Sequence, residues 1–237
     1  MSNSFLQKQN FDPNAWGIFV NPFYIARSNL RNHIKSLSEE LGGKLLDVGC
    51  GTKPYKHFFN VREYIGMEIK DMPFPDTKPD IDVFYDGHNF PFPDNTFDSV
   101  LCNQVLEHVF HPDEFVKEIA RVLKPEGKLL LTVPFSWDEH EQPFDYARYS
   151  SFGIKHLLQS HGFKILEHRK STDDFSAIFQ LINAYFYKLT NKNRWIRIIT
   201  TLCFMSLLTL KGIILGRLLP RNPDFYLDNV ILAEKNE

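Results

Sequence analysis

Short apolar runs alternate with segments of helical spacing along most of this 237-residue chain, and that alternation constrains the fold more than any other feature. Seven runs read as strands, at 44–48, 64–68, 81–85, 97–102, 128–133, 163–168 and 226–233. Helical spacing covers 21–41, 105–123 and 152–161, and Pro125-Glu126-Gly127 stops the second of these before the fifth run. Strands alternating with helices imply βαβ units and a mostly parallel sheet. In such a sheet, ligands sit beyond the carboxyl ends of the strands, so the residues just after each run are the ones to read for function.

Composition narrows the class. Charged residues make up 24% of the chain and hydrophobic ones 43%, which sets aside disorder, collagen and coiled coil. A formal net charge of −2 argues against nucleic acid as a partner of the whole surface. Cys50, Cys102 and Cys203 are odd in number and far apart, which predicts reduced thiols and a cytoplasmic location. Residues 1–10 hold no basic stretch followed by an apolar run, so no secretory signal is expected there.

The first strand run leads directly into Asp47-Val48-Gly49-Cys50-Gly51-Thr52-Lys53-Pro54. Glycines at 49 and 51 let backbone approach a ligand, and a helix starting after Pro54 would present free N–H groups. Glu68 closes the second run, where a carboxylate can accept hydrogen bonds from both hydroxyls of a ribose. A dinucleotide fingerprint needs a third glycine where Pro54 stands, which disfavours a nicotinamide-dependent oxidoreductase, the rival enzyme reading.

The stretch Leu45-Leu46-Asp47-Val48-Gly49-Cys50-Gly51 resembles the first motif of the class I S-adenosylmethionine-dependent methyltransferases, of the type 11 kind. Many members carry a further glycine where this chain has Lys53. The resemblance continues, in order and with matching spacing, over roughly 40–170. It implies an α/β, Rossmann-like doubly wound sheet of seven strands, mostly parallel, with an antiparallel last strand. It also implies S-adenosylmethionine as cofactor. Asp47, Gly49, Cys50, Gly51, Met67 and Glu68 would hold it on one side, Asp86 and Gly87 at the adenine, and Asn103 and Gln104 at the methionine end. The residues Cys102-Asn103-Gln104-Val105 lack the Pro-Pro-aromatic sequence of methyltransferases acting on nucleic-acid bases. A subunit that binds the cofactor without transferring from it is the non-enzyme alternative.

The acceptor side is expected in the loop at 134–149, a dense mixture of aromatic and charged residues. Its His-Glu-x-Pro-x-Asp-Tyr-x-Arg-Tyr arrangement resembles bacterial methyltransferases of surface-polysaccharide and cell-envelope function, which implies a small-molecule, saccharide or lipid-linked acceptor and O-methyl transfer. His140 is the first choice of general base, because an imidazole titrates near neutral pH, with Asp145 and Arg148 orienting it or holding an acidic acceptor group. Glu107 and His108 are neighbours pointing about 100° apart, a poor chelate alone, and no metal site is expected.

Four spans follow: an N-terminal helical cap at 1–43, the cofactor-binding core at 44–170, a helical insertion at 171–224 between strands six and seven, and the last strand at 225–237. Within the insertion, 175–223 holds seven basic residues and no Asp or Glu, leaving 20 basic and 29 acidic residues, net −9, to the rest. Ile198 to Leu210 is free of charge for 13 residues, while Arg197, Lys211 and Arg217 argue against a full membrane crossing. A dimer face or a cap would explain the apolar residues; a peripheral position on the inner, anionic membrane surface explains the basic ones as well.

Overall fold

The computed structural model describes residues 3–70, 80–190 and 192–237. Residues 1 and 2, 71–79 and 191 belong to the expected N-terminal, core and insertion spans and lie outside the described residues. The strands are β1 Lys44–Val48, β2 Glu63–Ile69, β3 Val83–Tyr85, β4 Phe97–Asn103, β5 Leu123–Pro134, β6 Phe163–Ser171 and β7 Asp228–Lys235. They form one sheet in the order β3-β2-β1-β4-β5-β7-β6. The pairs β1·β2, β1·β4, β2·β3 and β4·β5 are parallel, while β7 runs antiparallel to both β5 and β6. The expected Rossmann-like α/β sheet of seven strands, with its antiparallel last strand, is therefore the fold of the protein.

The helices are α1 Asn3–Phe11, α2 Gly17–Val20, α3 Tyr24–Leu37, α4 Pro112–Val122, α5 Ser151–Ser160, α6 Ser176–Thr190, α7 Arg194–Ile199 and α8 Ser206–Leu218. A π-helical stretch, Thr200–Met205, joins α7 to α8. Two compact units divide the chain, one of 34–135, 139–169 and 229–237, the other of 1–33, 136–138 and 170–228.

The first unit holds the sheet. Strand β1 is buried from Leu45 to Val48, and Val100, Cys102, Leu129, Leu131, Ile231 and Ala233 extend the same core across its neighbours. Helix α4 covers it with Phe115, Val116, Ile119 and Val122, a spacing that keeps all four on one side. Pro112 opens that helix, Asp113 and Glu114 favour its positive end, and Arg121 lies in its last turn. Each such buried apolar side chain contributes about 1.5–3 kcal/mol.

One expected helix does not form and another is shorter than its spacing suggested. No α-helix follows Pro54; a single 3-10 turn, Lys56–Phe58, fills the gap, because only eight residues separate Pro54 from β2 and buried Tyr55 and Phe59 pin both ends of that turn. Between β4 and α4 the chain makes another 3-10 turn, Leu106–His108, and helix proper waits for Pro112. The ring of Pro112 forces the preceding residue, His111, out of helical geometry.

The second unit is helical. Gln180 reaches from α6 to α3, where its Oε1 accepts from Ala26 N at 3.2 Å and its Nε2 donates to Pro22 O at 3.1 Å. Helices α7 and α8 with the π stretch run continuously for 25 residues, about 37 Å, which by length and composition alone is enough to cross a membrane.

Candidate active site

At the carboxyl end of β1 the backbone turns through Gly49 (φ +69°) and Gly51 (φ +49°). The Met67 carbonyl accepts from Gly49 N at 2.9 Å and Cys50 N at 3.2 Å, clamping the turn to β2. A Cβ on Gly49 would stand 2.3 Å from Val105 Cγ2, so this position admits no side chain. A Cβ on Gly51 would meet nothing within 4 Å, which leaves the turn open on the side where a ligand would lie.

Glu68 braces the turn from β2: its Oε2 accepts from Gly51 N and its Oε1 from Ile69 N, each at 3.0 Å. Burial raises its pKa, the two N–H donors oppose that, and the negative charge of Glu141 raises it further. Beneath the turn, the buried Asp47 carboxylate accepts from Tyr64 Oη at 2.7 Å. Burial pushes Asp47 up to about 7 against the pull of that hydroxyl.

Other expected site residues contribute backbone or loop geometry. The Met67 side chain lies in the core, and the Cys50 thiol is buried and pushed up in pKa, with Sγ 3.9 Å from Asp80 O. Asp86 is exposed, and its Oδ1 accepts from His88 N and Asn89 N at 2.9 Å, which lowers its pKa. Gly87 follows with φ +87°. Asn103 Oδ1 accepts from Thr132 Oγ1 at 2.8 Å, and Gln104, at φ +56°, donates its N–H to Thr132 O at 3.0 Å.

Lys53 is the participant whose part the spacing did not foretell. It takes the left-handed backbone (φ +49°) that the glycine of the resembling family would favour, and it is buried. Its Nζ lies 2.6 Å from Asp82 Oδ2 and 3.4 Å from Asp80 Oδ1, and Asp82 Oδ2 also accepts from Gly66 N at 2.7 Å. The signal in the sequence was the departure itself.

The residues expected to face an acceptor come together in the same unit. Asp145 is almost wholly buried and takes the Arg148 guanidinium on both oxygens, Nη2 to Oδ2 at 2.6 Å, together with His140 N at 2.8 Å. Burial would raise Asp145, but the Arg148 and His140 hydrogen bonds outweigh it and hold the carboxyl at about 2. The His140 ring places Nδ1 3.3 Å from Asp145 Oδ2 and 3.4 Å from Arg148 Nη2. The Arg148 donors are directed at Asp145, Ala147 O and His140, which makes this residue a clamp within the loop.

The His140 ring meets His108 edge-on, with centroids 4.8 Å apart. His108 Nδ1 lies 2.7 Å from Phe144 O, and the Glu107 carbonyl accepts from Tyr146 N and Ala147 N, which ties the loop to the segment after β4. One ligand atom from each of Glu107, His108 and His140 fits within 4.8 Å.

Comparison with known proteins shows what this geometry is similar to. Residues 46–131 match the family model described as a methyltransferase domain. The chain is 34% identical over 106 residues to an uncharacterized protein of Methanocaldococcus jannaschii, covering 44% of this chain and 51% of that one. It is 28% identical over 136 residues to a probable S-adenosylmethionine-dependent methyltransferase of Mycolicibacterium smegmatis, covering 52% and 53%. The chain thus spans about half the length of these curated relatives. In fold it is similar to the crystal structure of a SAM dependent methyltransferase from Archaeoglobus fulgidus, with a TM-score of 0.56 at 18% identity over 99% of this chain and 100% of that one. The part of the chain that carries the glycine turn and Glu68 thus matches a methyltransferase domain, in keeping with the resemblance to class I S-adenosylmethionine-dependent methyltransferases and with the cofactor that this domain implies.

Proposed function

We propose that this protein transfers a methyl group from S-adenosylmethionine to a hydroxyl of a small-molecule acceptor, a saccharide or a lipid-linked saccharide, in the cytoplasm. The observation that carries the reading is the meeting of two groups at the carboxyl edge of one sheet. The open glycine turn with Glu68 lies there, and the His140–Asp145–Arg148 loop is tied to the segment after β4 by the Glu107 carbonyl and the His108 ring.

Bound cofactor supplies a methyl group already activated on a sulfonium, so the protein's work is to hold, orient and deprotonate. Glu68, whose Oε2 braces Gly51, would accept from the ribose hydroxyls. Asp86 and Gly87 would flank the base, and Asn103 and Gln104, fixed by Thr132, would shape the methionine end. Arg148 fixes Asp145, Asp145 orients the imidazole through Nδ1, and His140 Nε2 takes the acceptor proton.

The test is release of S-adenosylhomocysteine on incubation with S-adenosylmethionine and panels of saccharide and lipid-linked saccharide acceptors, with mass spectrometry of the product. Methylated acceptor supports transfer. Cofactor binding by calorimetry with no turnover on any envelope extract leaves the protein a binding subunit.

A further inference from the structure

Helices α6 and α7–α8 distribute their side chains in reverse of a helix pair in water. The buried residues of the pair are mostly small or polar: Ser176, Asn183 and Ala184 on α6, where Gln180 and Ala177 turn to Pro22, Ala26 and Leu227 instead, and Thr201, Ser206, Thr209 and Gly212, beside Met205, on the other. Asn183 Nδ2 donates to Thr209 Oγ1 at 2.9 Å and to Met205 O at 3.3 Å. Gly212 and Gly216 stand four residues apart, and a Cβ on either would fall within 3.2 Å of α6 side chains, 2.8 Å from Phe179 Cβ at Gly212. Phe186 meets Phe204 edge-on across the pair at 4.8 Å, and most other large apolar residues of the 25-residue helix face away. Trp195 and Leu218 are 72% and 73% exposed, and Ile196, Ile199, Leu202 and Leu207 are exposed between them. Little more than a quarter of the most apolar 18-residue window of the 25-residue helix is buried.

In water this arrangement leaves apolar area unburied while polar groups occupy the contact. In lipid it is the stable one, because the surroundings are as apolar as leucine and packing falls to small residues and interhelical hydrogen bonds. Charge names the surface. Arg194, Arg197, Lys211 and Arg217 are the charged residues of the 25-residue helix; Lys188 on α6 is also basic but pairs with Asp138 at 2.8 Å. A second copy of this chain is a poor occupant, since a symmetric dimer would set these like charges against each other.

We infer that the outer face of the α6 and α7–α8 pair embeds in the interfacial region of an anionic phospholipid bilayer. Trp195 sits at headgroup level, and the basic side chains snorkel to the phosphates. This rests on the helix pair alone and stands whether or not the transfer proposed above takes place.

The experiment is flotation of the full-length protein with phosphatidylcholine vesicles, with and without phosphatidylglycerol, at low and high salt. Expected is co-flotation with anionic vesicles that persists at high salt, because apolar insertion outlasts the screening of charge. Trp195 emission should shift to the blue and be quenched by lipids brominated on the acyl chain, with Trp195→Phe as the control for Trp16 and Trp137. Leu202→Glu and Leu207→Glu should each lower partitioning roughly tenfold or more, with unchanged circular dichroism and S-adenosylmethionine binding. Protein that stays at the bottom of every gradient, with Trp195 emission unchanged, overturns the inference. So does a dimer in sedimentation equilibrium that the same two substitutions dissociate.

Discussion

Lys53 occupies the space that a side chain on Gly66 would need: a Cβ there would lie 2.2 Å from Lys53 Cε and 2.7 Å from Cys50 Sγ. The lysine is held in place by Asp82 at 2.6 Å, so it cannot swing aside without giving up that ion pair. Gly66→Ala is expected to cost about 1–3 kcal/mol, measured as a lower midpoint of chemical denaturation. Lys53→Ala makes room, so the double variant should lose less than the two single losses combined. Simple additivity would show that the two residues do not share space.

Asp47 makes stability depend on pH. Its pKa is raised by burial from 3.8 to about 7 in the fold, so between those values the unfolded chain gives up its proton while the native one keeps it. The stabilisation from the protonated group is fully present below about pH 4, falls as the pH rises, and is gone above about 7. At roughly 1.36 kcal/mol per unit the loss is on the order of 4 kcal/mol. Asp47→Asn stays neutral and can still accept from Tyr64, so its urea stability should fall much less over this range and exceed that of the wild type at pH 8. A parallel decline in both proteins would assign the slope elsewhere.

Glu68 serves the turn and the cofactor together. Glu68→Ala removes acceptors for the ribose hydroxyls and the brace on Gly51 N, for an expected loss of about 1–3 kcal/mol, or roughly 5–150-fold in Kd for S-adenosylmethionine. Titration calorimetry reads this directly, and an unchanged Kd would move the ribose away from β2.

The loop cluster should affect turnover and leave cofactor affinity alone. His140→Ala is expected to lower kcat by roughly 10²–10⁴-fold with the Kd for S-adenosylmethionine unchanged. Arg148→Lys cannot make the paired contact to Asp145, so it should lower kcat less while leaving KM for the acceptor nearly unchanged. A rise in KM alone would instead make Arg148 an acceptor contact.

The sheet and the glycine turn were legible in the sequence because both are local. The strand at 44–48 matches β1 residue for residue, since a run of apolar residues and the glycines that must follow it are adjacent in the chain. Helix lengths were less legible where proline and tethering aromatics, at Pro54, Tyr55 and Pro112, overrode the spacing.

What the sequence by itself determined is the class of fold, the place of the turn and Glu68 at the end of the second strand. These follow from residue type and short-range spacing. Only the tertiary structure decided that Lys53 fills the cavity at Gly66, that His108 meets His140, and that Asp145 is the buried partner of both Arg148 and His140. It also decided which faces of α6 and α8 turn inward. Each of these joins residues whose distance is set by how loops and helices pack, and composition and periodicity carry no measure of that distance.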